Sequence, residues 1–306
     1  MPELPEVETV ARGLQASVAG RRVLSVLLRK TDFIDDPALI ERELPGKRIG
    51  RVERYGKFML LELDEAAPAA GGEESSRSPR GAALLVHLGM TGNLAPHFAG
   101  QQTEKHTHVC FLLDDGRELR YTDARRFGRM AYLSGETLAA ELQRFGADPL
   151  EVSREEFAAR IASSRARIKA LLLDQTVLRG VGNIYADESL WRARIHPATP
   201  GSRLNPQQTE RLRQALKAIL LRAIQMRGST ISDFVDSNGE SGEYQQHHRA
   251  YGREGRKCYR CGSRIERVTL AGRSSHFCPG CQPAPRGVRP RKKTTKRKRP
   301  VISSKR

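Results

Sequence analysis

Residues 258–281 read CYRCGSRIERVTLAGRSSHFCPGC, and their spacing divides the chain before any other feature does. Two residues separate Cys258 from Cys261 and Cys278 from Cys281, and 16 residues separate the two pairs. A pair so spaced can set both sulfurs on one metal ion, and two such pairs complete a tetrahedron of thiolates. Four thiolates leave no open position for water, so the spacing predicts one structural Zn2+ ion and not a catalytic one. Two disulfides are the competing reading, but five cysteines in 306 residues are too few, and odd in number, for a disulfide framework. The intervening RVTLAGRSSHF reads as an apolar run, a glycine turn and a return strand. This predicts a β-hairpin tied at its base by metal, with Arg273 near its tip. By itself the module marks a nucleic-acid or protein finger, and Arg273 is a solvated turn residue as readily as a ligand contact.

Beyond the module, residues 284–306 (APRGVRPRKKTTKRKRPVISSKR) hold 11 basic residues and no acidic one. With no apolar periodicity, this tail is expected to be disordered, serving either solubility or salt-dependent contact with phosphates. The whole chain carries 53 Lys and Arg against 35 Asp and Glu, a net charge of +18, of which 7 lie outside the tail. That balance points to a polyanionic partner. No run approaches the ~18 apolar residues of a membrane span, and no secretory leader opens the chain, so the expectation is an intracellular protein without membrane association.

Toward the N-terminus, a polar loop DFVDSNGESGEYQQHH precedes the finger. Before it, EEFAARIASS, IKALLLDQ, IYADESLWRARI and PQQTERLRQALKAILLRAIQMRG have helical spacing. Gly180 and Gly182 allow a tight turn between two of these helices, and Asn183 is expected to be the N-cap of the second, leaving N–H groups free for a phosphate. Earlier still, ETVARGLQASVAG reads as a helix capped by Gly20. RRVLSVLLR, KRIGRVERYG, FMLLELD, AALLVHLG, THVCFLLDDG and ELRYTDARRFG then read as short strands, with Cys110 a buried core thiol in the fifth. Residues 66–81 (AAPAAGGEESSRSPRG) read as a mobile loop between strands. The fold class is α+β in separate domains. The boundaries are a β-rich domain at 1–134, a helical domain at 135–228, a loop and linker at 229–252, the finger at 253–282 and the tail at 283–306.

Five stretches in order, MPELPEVETV (1–10), the strand-like HLGMTG (87–92), YTDARRFG (121–128), GVGNIYADESL (180–190) and AGRSSHFCPGCQ (271–282), resemble the formamidopyrimidine-DNA glycosylase family. The resemblance covers residues 1–282. It implies an N-terminal two-sheet β-sandwich, a helix–two-turn–helix domain and a C-terminal zinc finger, with damaged duplex DNA in the cleft between them. It further implies a monomer acting as glycosylase and strand-cleaving lyase on 8-oxoguanine and formamidopyrimidines, in the bacterial cytoplasm at the nucleoid, or in a eukaryotic nucleus.

The resemblance gives the carboxylate-rich start a purpose. Because Pro2 is small, Met1 is expected to be removed, exposing a secondary amine whose pKa near 8 leaves part of it as an uncharged nucleophile at neutral pH. By family analogy Glu3 is the general acid, Glu6 supports the terminus, and Lys57 and Arg273 act at the scissile phosphates. Met90, Arg125 and Phe127 match the trio that fills the void left by an everted nucleotide. His106, Arg165, Lys169 and Asn183 match further DNA contacts, and residues 235–247 match a lid over the base. The competing readings are an endonuclease VIII-like enzyme for oxidised pyrimidines, a noncatalytic zinc-finger DNA-binding protein, and an RNA-associated zinc protein. The DNA-binding reading leaves Pro2 and Glu3 unexplained, and the RNA-associated one rests only on charge and the finger.

Overall fold

The computed structural model describes residues 1–64, 81–231 and 234–285. The 66–81 loop, apart from Gly81, and the tail after Pro285 lie outside the described residues. The chain opens with α1 (Leu4–Val18), whose Val7, Val10, Ala11, Leu14 and Val18 recur at helical spacing and are buried together. The helix stops at Val18 with Ala19 as its cap; Gly20, one residue further, takes φ 82° and turns the chain into the sheets.

Eight strands form two antiparallel four-stranded sheets. One has the order β1 (Val23–Leu28), β6 (Thr107–Leu113), β7 (Arg117–Asp123), β5 (Gly92–Phe98). The other runs β2 (Arg48–Tyr55), β3 (Phe58–Asp64), β4 (Ala82–His87), β8 (Arg129–Ser134). Inward residues alternate, as Met59, Leu61 and Leu63 do on β3, and they meet Val109, Phe111, Leu119 and Tyr121 of the facing sheet in one core that includes α1. The opposite face of β3, β4 and β8 (Leu60, Ala83, Leu85, Ala131) is covered by Leu138 of α3 (Gly135–Gln143). Buried on both faces, β4 reads in sequence as a continuous apolar run.

Two expectations shift here. HLGMTG is not a strand: residues 88–91 form the turn between β4 and β5, with Gly89 at φ 61°. A short helix, α2 (Pro37–Glu43), intervenes between β1 and β2, started by Asp36, whose side chain accepts the Leu39 N–H at 3.0 Å.

The helical part comprises α4 (Arg154–Ala162), α5 (Ile168–Leu173), α6 (Asn183–Ala193) and α7 (Pro206–Gln225) around a second core. Leu4 belongs to that second core while Val7 belongs to the first, so the chain's first turn of helix pins the two cores together. Near the C-terminus β9 (Glu266–Leu270) and β10 (Arg273–Phe277) pair as the expected hairpin. Ala271 and Gly272 take φ 48° and 71°, the two left-handed residues of a tight two-residue turn, and Arg273 follows directly at the tip.

Candidate active site

The start of α1 lies against the start of α6. Glu3 precedes α1, and its buried carboxylate accepts the Ile184 N–H at 2.9 Å and the Tyr185 N–H at 3.3 Å. These are two of the donors that a helix N-terminus leaves unsatisfied, and the positive end of the helix favours an anion there. The expected cap is therefore corrected. Asn183 is the first helical residue, not the N-cap, and the N–H groups after it hold Glu3 in place of a phosphate. Gly182 is the cap for a steric reason: a Cβ at that position would lie 2.3 Å from Glu3 Cδ. The Asn183 side chain lies near the Tyr251 phenol, and its Oδ1 is buried without a hydrogen-bond partner.

Glu6 is buried one turn further along. Its Oε2 accepts the Glu3 N–H at 2.8 Å, and its Oε1 accepts the Tyr185 hydroxyl at 2.5 Å and the Ser229 N–H at 2.6 Å. Tyr185 and Ser229 share a further contact at 3.3 Å, and Ser229 Oγ lies 3.1 Å from His248 Nε2. Burial, and then the neighbouring Glu3 charge, push the Glu6 carboxyl up to about 7. Burial raises Glu3 as well, opposed by the Lys57 charge and the two α6 N–H groups.

Lys57 is not the solvated hairpin lysine that sequence alone allows. The β2–β3 turn packs on the α5–α6 turn, where a Cβ at Gly180 would sit 2.9 Å from Leu4 Cβ and 3.2 Å from Gly56 O. This buries Lys57 and lowers its pKa, an effect opposed by Glu3 and reinforced by Arg273. His87 joins the group. It is pushed down to about 4 by burial and then by the charges of Lys57, Arg129 and the chain's amino terminus, and its Nδ1 accepts the Gly89 N–H at 3.0 Å. A small cavity of about 40 Å³ lies among Pro2, Glu6, Met90, Ile184, Ser229 and Phe234.

Lys169, which the resemblance puts at a phosphate, is instead fully buried. Its Nζ donates to Asp187 at 2.6 Å and to the Ser274 carbonyl at 2.6 Å, while Asp187 also accepts the His276 N–H at 2.9 Å. An ammonium spent on these partners fastens the hairpin to α5 and α6 and does not face solvent.

The four sulfurs of Cys258, Cys261, Cys278 and Cys281 lie within 4.8 Å of one another, and none is in a disulfide. Zinc–sulfur bonds of about 2.3 Å require sulfurs close to 4 Å apart, so the cluster fits a tetrahedral ion. The Trp191 indole N–H points to Cys258 Sγ at 3.4 Å, and the backbone N–H groups of Arg260 and Cys281 point to Cys258 and Cys278 sulfurs at 3.5 and 3.4 Å. Such donors suit thiolates and orient them.

The chain is similar to known proteins over most of its length. Family models for the formamidopyrimidine-DNA glycosylase N-terminal domain, for its helix–two-turn–helix domain and for a zinc finger found in that enzyme and in isoleucyl-tRNA synthetase match residues 1–130, 145–235 and 255–284. A formamidopyrimidine-DNA glycosylase of Herpetosiphon aurantiacus is 42% identical over 287 residues, covering 92% of this chain and 100% of the relative. That of Solibacter usitatus is 43% identical over 284 residues, covering 92% and 99%. The chain belongs to the formamidopyrimidine-DNA glycosylase family. Among solved members, Lactococcus lactis Fpg bound to abasic-site DNA superposes with a TM-score of 0.81 at 32% identity, covering 92% of this chain and 100% of that one. A mutant of the same enzyme bound to Fapy-dG DNA gives 0.82 at 31% identity, with the same coverage.

As in the family pattern, this chain has one structural zinc site, built from the four cysteines. Met90 and Phe127 are exposed apolar side chains on neighbouring turns, and the Arg125 guanidinium lies 4.6 Å from the Phe127 ring centre. Both turns hang on Asp123, which sequence reasoning missed. Its buried carboxylate accepts the Thr91 hydroxyl at 2.6 Å, the Arg125 N–H at 3.1 Å, the Gly128 N–H at 3.0 Å and the Tyr121 hydroxyl at 3.3 Å. His106, at φ 72°, and Arg165 stand exposed on loops outside the carboxylate cluster. The described part of the expected lid is well tied: Asp236 Oδ1 accepts the Asn238 and Glu240 N–H groups, and Tyr244–His247 forms a 3₁₀ turn.

Proposed function

We propose that this chain is a bifunctional DNA glycosylase and abasic-site lyase that removes oxidised purines, 8-oxoguanine and formamidopyrimidines, from duplex DNA through the amine of Pro2. The observation that carries the reading is the junction of Glu3, Glu6 and Lys57 beside residue 2, on the N-terminus of α6. Removal of Met1 frees the secondary amine. That amine attacks C1′ of the damaged nucleotide, and the bond from C1′ to the base breaks. Loss of the amine proton with opening of the C1′–O4′ bond leaves an iminium, and Glu3 supplies the proton that O4′ takes up. The cation acidifies C2′; loss of that proton breaks the C3′–O bond, and a second elimination breaks the C5′–O bond. Glu6, holding the Glu3 amide, fixes where the terminus points. Lys57, its pKa lowered by burial, would give up its proton more readily than a solvated lysine. Arg273 at the hairpin tip would grip the flanking phosphates, and Met90, Arg125 and Phe127 would occupy the vacated stack. His106, Arg165 and Asn183 would add backbone contacts. Lys169 is left out of this set, since its charge is spent inside.

Borohydride trapping tests the reading. Protein shown to begin at Pro2 should form a covalent adduct with a duplex containing 8-oxoguanine opposite cytosine, and a terminus extended ahead of Pro2 should form none. Glu3→Gln should still bind but lose about 10²–10⁴ in excision rate. Preferential trapping on a thymine-glycol duplex would favour the pyrimidine enzyme, and no adduct on either substrate from DNA-binding protein would overturn the enzymatic reading.

A further inference from the structure

At the other end of α6, roughly 10 Å along the helix from the N–H groups that hold Glu3, a cavity of about 340 Å³ opens between α6, α7 and the first knuckle of the finger. Four guanidiniums line it: Arg192 of α6, Arg222 of α7, Arg249 of the linker and Arg260 of the finger. Among the described residues none of the four is ion-paired to a carboxylate, unlike Arg54, Arg129 and Arg213, which each are. The one acid in the wall, Glu188, is turned to another use: its carboxylate accepts the backbone N–H groups of Arg249, Ala250 and Tyr251 at 2.8 to 3.0 Å.

The arginines are held apart and aimed. Arg260 lies over the Trp191 ring at 4.2 Å and donates to the Trp191 carbonyl at 3.2 Å, and Arg249 lies over the Tyr259 ring at 4.5 Å. Arg222 donates to Gln225 at 3.3 Å. Buried Tyr244 forms the floor, and the charges of Arg192, Arg249 and Arg222 all bear on its hydroxyl. Like charges gathered from four separate segments repel one another unless an anion sits between them. A volume of this size is at the small end of pockets that take small molecules. Four planar donor forks suit two adjacent phosphates, two forks to each, better than one.

We propose that this cavity binds a diphosphate group, supplied either as inorganic pyrophosphate or within a nucleotide. The Tyr244 ring centre lies 5.8 Å from that of Tyr185, the residue whose hydroxyl donates to Glu6, with the rings tilted by 43°, and Arg249 lies on the stem that follows the lid. An occupant would therefore brace the lid stem from behind without entering the cleft.

The experiment uses the full chain saturated with a duplex carrying an abasic-site analogue, so that the DNA-facing basic groups are occupied, and titrates it calorimetrically at constant ionic strength. Inorganic pyrophosphate should bind at one site, at least about tenfold more tightly than orthophosphate. Arg192→Ala with Arg222→Ala, both exposed and outside the catalytic group, should weaken pyrophosphate about tenfold or more while leaving excision unchanged. ADP binding as tightly as pyrophosphate would make the nucleotide a competent source, and ADP failing to bind would leave pyrophosphate as the source. Orthophosphate binding equally well, no saturable binding, or a double variant that binds as before would each overturn the proposal.

Discussion

Glu6 shows how much one side chain is asked to do at the chain's start. Three donors converge on its carboxylate, which favours the ionised form, yet loss of hydration and the nearby Glu3 charge outweigh them and raise it from 4.5 to about 7. Between those values the native state keeps a proton that the unfolded chain has released. The stabilisation from Glu6 is thus complete below pH about 4.5 and is lost as pH rises through about 7. A shift of this size corresponds to roughly 3 kcal/mol. Urea unfolding at about pH 5 and pH 8 should therefore show the wild-type protein losing on the order of 3 kcal/mol more than Glu6→Gln over the same range. Equal losses in the two proteins would mean that Glu6 ionises normally despite its burial.

At the scale of elements, periodicity was legible where a strand or helix has one clean apolar face. It revealed α1, α7, β3, β4 and the finger hairpin, and the thiol spacing revealed the metal site. β5 escaped because GNLAPHF carries Pro96, Gly92 and Asn93, residues that weaken a strand signal, and its place is set instead by its pairing with β7. Pro2, Glu3, Glu6 and Lys57 could be named in advance through the family resemblance, but what joins them could not. Tyr185 and Ser229 reach Glu6 across 179 and 223 residues, contacts with no local signature. The same blindness put the cap on Asn183, because nothing in GVGN tells that a carboxylate from residue 3 fills the space where a side chain at 182 would go. Gly182 has an extended φ of −131°, so backbone strain plays no part there. Gly182→Ala should leave a folded, zinc-containing protein, since the clash at 2.3 Å is with a side chain that can swing away. Displacing Glu3 from α6 should nonetheless lower excision by about 10²–10⁴ while DNA binding persists. Excision at the wild-type rate would show that Glu3 can act without its seat on the helix.

Across the whole molecule, the sandwich and the helical domain meet where α1 begins, with Leu4 in one core and Val7 in the other. Two buried carboxylates of this basic chain, Glu3 and Glu6, thus stand where two domains and a helix N-terminus converge. In the tail, residues 284–306 hold 11 basic groups with no acid among them. Each phosphate neutralised on duplex DNA contributes a slope of about −0.9 to log affinity against log salt, through release of condensed counterions. If the tail lies along DNA, a chain ending at residue 283 should bind undamaged duplex more weakly and with a slope shallower by several such increments, measured by fluorescence anisotropy over a salt series. Its preference for a lesion over an intact base should not change, because contacts to phosphates carry no information about the base. The full chain and the truncated one should thus converge in affinity as salt is raised, and excision with enzyme in excess should proceed at the same rate in both. An unaltered slope would mean that the tail makes no contact with DNA, and the +7 outside it would then have to supply the whole electrostatic attraction.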